Sequence, residues 1–104
     1  MPMSKPSSAA RFDELIHAPL RLRICASLAP VEWVDFAQLR ETLGVADSVL
    51  SKHLKQLIDA GYVSVEKFAK FGRSHTRVSL ARDGRIAYVG HIAALREMVG
   101  DAGL

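Results

Sequence analysis

Residues 36–61 read FAQLRETLGVADSVLSKHLKQLIDAG, and two helical patterns separated by one glycine lie in that stretch. Phe36, Leu39 and Leu43 recur on one face of the first, and Gly44 follows as a stop able to take the left-handed backbone. Asp35, just before, offers a side-chain oxygen for the N-cap. In the second pattern Leu50, Leu54, Leu57 and Ile58 form a stripe at i, i+4, i+7 and i+8, and Gly61 ends it in the same way. The opposite face holds Asp47, Ser48, Ser51, Lys52 and Lys55, short and polar near the start and cationic further on. A solvated face on an amphipathic helix accounts for that pattern when it stands alone. Its neighbours decide whether it does more.

Downstream, YVSVEKF (62–68) alternates with Val63 and Val65 on one face. HTRVSL (75–80) alternates with Thr76, Val78 and Leu80 on one face and His75, Arg77 and Ser79 on the other. Strand periodicity on both sides of AKFGRS predicts a hairpin whose tip holds Lys70, Gly72, Arg73 and Ser74. Upstream, RFDELIHA (11–18) predicts a short helix with Phe12, Leu15 and Ile16 as its apolar face. Pro19 suits the first turn of the next helix, PLRLRICASLA, which buries Leu20, Ile24 and Leu28 beside Leu22 and Cys25 and leaves Arg21 and Arg23 nearer solvent. Pro30 closes it, VEWV is an extended link, and Trp33 and Phe36 read as core. The last helix, 83–100, is expected to be capped near Asp83. Ile86, Tyr88, Val89, Ile92, Ala93, Leu95, Met98 and Val99 cover more of its circumference than one core contact requires, and a second copy of the chain is the simplest further partner.

The chain of 104 residues predicts one domain over 10–104, mainly α with a small β-hairpin (α+β), preceded by a disordered Pro/Ser/Ala-rich tail at 1–9. Its 49% apolar and 24% charged residues are ordinary for a soluble globular protein. The net charge of +3 is unevenly placed: residues 48–85 hold eight Lys/Arg against three acids. Positive charge therefore sits with the second helix and the hairpin, where a polyanion would be met. One cysteine, Cys25, excludes an intramolecular disulfide and fits a reducing cytosol, and burial in the core is the simplest account of it. No run approaches the ~20 apolar residues of a membrane span, and no secretory signal is visible. Catalysis has almost no support, because the chain shows no phosphate-binding glycine loop, no nucleophile with a visible base and no acidic pair in a plausible cleft.

A helix entering the major groove of DNA needs short polar groups in its first turns for base edges and lysines further on for phosphate. LGVADSVLSKHLKQLIDAGYV (43–63), the hairpin after it and HAPLRLRICASLA (17–29) before it resemble winged helix-turn-helix transcriptional regulators of the MarR/ArsR-like group, especially short single-domain members. Ser51, Lys52, His53 and Leu54, then Ala60, Gly61, Tyr62 and Val63, carry the likeness, and Gly72, Arg73 and Thr76 extend it, so that roughly residues 11–100 are covered. The resemblance implies a three-helix core, a wing and a terminal dimerisation helix. It implies a cytoplasmic, homodimeric regulator, a repressor, on a pseudo-palindromic double-stranded DNA operator, with 46–60 in the major groove and the 62–80 wing on backbone or minor groove. Ser48, Val49, Ser51, Lys52 and Lys55 fall on its DNA-contacting helix positions, and Arg73 with His75 and Arg77 on its wing, where Lys70 joins them by charge. Phe12, Ile86, Val89, Ile92, Ala93, Met98 and Val99 are the residues assigned to the dimer contact.

Ala46 stands where that group has a serine or threonine cap, so Asp47 is expected to cap instead, and Val49 would suit a thymine methyl. Metal-sensing members carry paired cysteines or His/Asp clusters. Cys25 has no second cysteine, and His17, His75 and His91 are scattered, so neither metal nor cofactor is expected. His53, at the margin of the leucine stripe, suits a hydrogen bond to a neighbouring helix as well as a phosphate contact. The rival reading is a winged-helix module that binds other proteins and no nucleic acid. No effector is legible in the sequence.

Overall fold

Helix α1 (Glu14–His17) and helix α2 (Pro19–Leu28) lead into a two-residue strand β1 (Val34–Asp35), then α3 (Phe36–Leu43), α4 (Asp47–Asp59), the strands β2 (Val63–Lys70) and β3 (Arg73–Leu80), and α5 (Arg82–Val99). The computed structural model describes residues 10–100, so the expected tail lies outside the described residues. The punctuation follows the sequence closely in the middle of the chain. Asp35 accepts the Ala37 N–H at 2.9 Å and caps α3. Gly44 takes φ 68° and ψ 36°, closing α3 with its N–H on the Arg40 carbonyl. At the end of α4 the Tyr62 N–H reaches the Leu57 carbonyl across Gly61, whose φ is +80°.

The predicted leucines build the core. Leu39, Leu50, Leu54 and Leu57 from α3 and α4 pack with Ile24, Cys25 and Leu28 from α2 and with Val63, Val78 and Leu80 from the sheet. Each such side chain contributes about 1.5–3 kcal/mol by leaving water. Four expectations about the core and the sheet need correction. The VEWV link is more than a link: Val34 and Asp35 pair with Val78 and Arg77, making a three-stranded antiparallel sheet of order β1-β3-β2. Trp33 is not core but 42% exposed, because it shares the parity of Asp35 and so faces outward with Arg77. Val65 is exposed as well, since the hairpin leaves the core immediately after Val63. Ile58 lies at the outer margin of the α4 stripe and is partly exposed.

The first helix is a single turn. Asp13 accepts the Ile16 N–H at 2.9 Å and starts α1 there, while the backbone N–H groups of Arg11 and Asp13 are tied to α5. The Arg11 N–H donates to the Gly90 carbonyl, and the Asp13 N–H donates to His91 Nδ1 at 3.0 Å. The segment before α1 is thus strapped across α5. α5 begins at Arg82 behind Ala81, which brings no side-chain cap, so Asp83 is a first-turn residue and not the cap expected of it. Close approach of α5 to Tyr62 is possible because Gly84 has no Cβ; one there would overlap the Tyr62 carbonyl.

His91 is fully buried in this strap. An amide can only donate, so Nδ1 accepts and the ring proton sits on Nε2, 3.2 Å from His17 Nδ1. The Phe12 ring meets His91 edge-on at 4.7 Å and His17 at 4.8 Å. Burial pushes His91 below its ordinary 6.5, His17 adds to this, and Asp13 opposes it. A proton bound by the unfolded chain near pH 6.5 is refused by the folded chain until lower pH. The His91 contribution to stability is therefore complete above pH 6.5 and drains as pH falls through the lowered folded value. Urea midpoints measured between pH 7.5 and 5 should fall with acidification, and His91→Asn, which keeps an acceptor for the Asp13 amide, should flatten that slope in part. His53, shifted the same way by burial, then Arg21 and Lys52, adds to that slope.

Candidate nucleic-acid interface

One side of α4 is spent on the core through Leu50, Leu54 and Leu57. Ser48, Val49, Ser51, Lys52 and Lys55 are all exposed on the other. Ala46 is the N-cap residue and makes no side-chain bond, so the first intrahelical bond runs from the Leu50 N–H and the first-turn amides are left for an outside acceptor. Asp47 does not cap. Its carboxylate pairs with Arg40 Nε of α3 at 2.8 Å, which neutralises the acid at the mouth of the helix. Lys55 pairs with Asp59 one turn on at 3.2 Å, whereas Lys52 makes no ion pair among the described residues.

The base of α4 is bolted down by a residue expected nearer solvent. Arg21 donates to the Leu15 carbonyl at 2.6 Å and to Gln56 Oε1 at 2.7 Å, and its guanidinium lies 3.0 Å from His53 Nδ1. Arginine only donates, so His53 accepts; its role is the interhelical bond, and its lowered pKa agrees with a neutral ring.

The wing separates the predicted residues into two groups. Lys70 and Arg73 face each other across the hairpin end and are exposed, with Phe71 and Gly72 alone between the strands. Both turn residues have positive φ, 54° and 74°, as two-residue hairpin loops require. The left-handed backbone costs a residue with a Cβ about 1–2 kcal/mol. His75 and Arg77 are not at the tip. His75 Nδ1 bonds Asp35 Oδ2 at 3.0 Å and its ring stacks on Phe68 at 5.3 Å. The Arg77 guanidinium lies against both Trp33 and Phe68, 4.5 and 4.2 Å from their ring centroids, in the corner where the two rings meet edge-on at 5.9 Å, and its Nε is buried. This stack stiffens the outer face of the sheet. A sequence trace of it exists, since Trp33 and Asp35 share one parity and Phe68 opposes His75, but it needs the β1–β3 register to be seen.

On α5, Ile86, Val89, Met98 and Val99 are exposed, Ile92 and Ala93 half-buried, and Phe12 half-buried against the histidine pair. Cys25 is enclosed, its thiol pushed up to about 11 by burial and then by Asp13, which removes the thiolate a redox sensor needs. Among the described residues no three His, Cys, Asp or Glu side chains are grouped to hold a metal ion, and no helix is long and apolar enough to cross a membrane.

Three core helices, a hairpin beside the second of two turn-linked helices, and an open polar-to-cationic face define a winged helix protein shaped to hold nucleic acid. The sequence profile of the winged helix DNA-binding domain family matches residues 20–99, and the chain belongs to that family, which is not one of enzymes. An uncharacterized protein of Methanocaldococcus jannaschii is 29% identical over 85 residues, spanning 82% of this chain and 92% of the relative. A transcriptional regulator homologue from Pyrococcus horikoshii OT3 superposes with a TM-score of 0.81 at 23% identity, over 88% of this chain and 91% of that one. HlyU from Vibrio cholerae N16961 does so with a TM-score of 0.60 at 21% identity, over 79% and 84%. At these identities the two structures establish likeness of fold.

The unequal pairing of the two lysines has a measurable consequence. Lys52→Ala should weaken duplex binding in mobility shifts more than Lys55→Ala, because the Lys55 charge is shared with Asp59. Loss of one phosphate contact should reduce the slope of log affinity against log salt by about 0.9.

Proposed function

We propose that this DNA-binding regulator is a cytoplasmic, homodimeric, sequence-specific repressor of the MarR/ArsR-like kind, with α4 in the major groove and the β2–β3 wing on the flanking backbone or minor groove. The observation that carries it is the outward face of α4: Ser48, Val49 and Ser51 beside uncapped first-turn amides, then Lys52 and Lys55. Ser48, Val49 and Ser51 would read base edges, each good pairing worth about 1–3 kcal/mol. Lys52, Lys55, Lys70 and Arg73 would supply affinity by displacing counterions from phosphate. His75 and Arg77, committed to the sheet-face stack, would act chiefly by holding the wing in place.

Dimerisation is inferred from α5. Ile86 and Val89, the latter 52% exposed, share a face turned away from the core on which the other side of the helix packs, and Met98 and Val99 are exposed in the last turn. A two-fold pair joined there would present two α4 helices to one side of a duplex. Such a body excludes polymerase from a promoter by its volume alone, so repression asks for no surface beyond these.

Selection of bound duplexes from random oligonucleotides should return inverted half-sites about 10–10.5 bp apart, centre to centre. Retardation of no duplex at low salt would leave the protein-binding module as the better account. Val89→Glu should convert the dimer to a folded monomer in light scattering, with native circular dichroism and a large loss of operator affinity. An unchanged dimer would remove α5 from the interface.

A further inference from the structure

We propose that Phe71 is a minor-groove wedge, its ring carried by the wing tip against or between base pairs that flank the sites read by α4. This deepens the DNA-binding reading above and rests on it. Phe71 is 93% exposed and does not belong to the core. It also occupies the first position of a two-residue turn at φ +54°, where Asn, Asp or Gly would be at ease and a bulky aromatic residue is not. Neither packing nor backbone asks for phenylalanine there, so the ring answers to something outside the chain.

The surroundings name the chemistry of that partner. Lys70 and Arg73 stand opposite each other directly behind the ring, Lys70 Nζ 5.6 Å from its centroid, and Lys67 follows on the same strand. A single apolar ring leading a row of cations matches a groove with an apolar stacked floor and phosphate on both rims. The minor groove, roughly 6 Å wide, is too narrow for a ribbon whose strand axes alone stand about 4.8 Å apart, so the strands would stay at the rim and only the ring at the turn would enter. Reach is sufficient. Strands of eight residues at about 3.3 Å each span roughly 26 Å, against the ~17 Å of half a helical turn between neighbouring groove centres. The Trp33–Arg77–Phe68 stack stiffens the ribbon below the tip and lets it bear the load of unstacking. Apolar wedges of this kind open base steps and bend the duplex, most readily at pyrimidine–purine steps. Phe71 would therefore add sequence preference at positions outside the α4 contacts.

The test uses the full chain and a selected duplex carrying 2-aminopurine at the flanking steps, with fluorophores on the two ends to report bending. Wild-type protein should raise 2-aminopurine emission and shorten the end-to-end distance. Phe71→Asn should abolish both changes and weaken binding roughly tenfold, as loss of one stacked contact does. It should also raise Tm by roughly 4 °C or more, because Asn fits the turn. A variant that is more stable yet binds worse cannot owe its defect to misfolding. If Phe71→Asn binds and bends the duplex as wild type does, or if 2-aminopurine stays quenched under wild-type protein, the wedge is overturned and DNA binding stands. A wild type that retards no duplex overturns both.

Discussion

Asp13 has to satisfy three parts of the molecule at once. Its Oδ1 starts α1 by accepting the Ile16 N–H, its Oδ2 takes the Tyr62 hydroxyl at 2.6 Å, and its own N–H is given to His91. Tyr62 closes α4 and His91 lies in the middle of α5, so one residue fixes the angle between the helix proposed to read DNA and the helix proposed to pair two copies. The bond to Asp13 first and burial second push the Tyr62 phenol up to about 12. Two half-sites on a duplex tolerate little error in spacing, and a loose joint between α4 and α5 would turn directly into that error. Gly84 serves the same end by letting α5 come within contact of the Tyr62 carbonyl.

What local pattern governs was legible in the sequence. The leucine stripes of α3 and α4, the left-handed glycines after each and the Asp35 cap depend on residues within a few positions of one another, and all appear where the spacing put them. What long-range pairing governs was not. Asp47 looks like a cap by rank in the sequence, but Arg40 lies across the turn and wins its carboxylate. Arg21 looks solvent-facing on its own helix until α4 brings His53 and Gln56 against it. The two-residue β1 is too short to register as a strand, and without it the stack of Trp33 on Arg77 has no visible cause. Arg11 and Phe12 fit a helix by composition, but the Gly90 carbonyl takes the Arg11 N–H, the His91 ring takes the Asp13 N–H, and the Phe12 ring packs on His91.

The wing residues divide in the same way. Charge alone puts Lys70, Arg73, His75 and Arg77 in one class, whereas the hairpin register assigns the first two to the tip and the last two to the sheet face. Packing a guanidinium into the corner of two aromatic rings desolvates it and favours geometry over reach. Electrostatic attraction and mechanical stiffness are thus supplied by different cations on one strand pair.

The strand order β1-β3-β2 leaves β2 with a neighbour on one side only, and toward the tip β3 is bare as well, because β1 spans just Arg77 and Val78. Such a border is a template on which a foreign strand, or the same strand of another molecule, can grow. Glu66, Lys67 and Lys70 line it, and a second β2 approaching along it would bring like charges together wherever the two ran in register. The cations that favour a nucleic acid therefore also guard the chain against polymerising through its own ribbon, and replacing them with apolar residues would invite fibres as well as weaken the grip on phosphate.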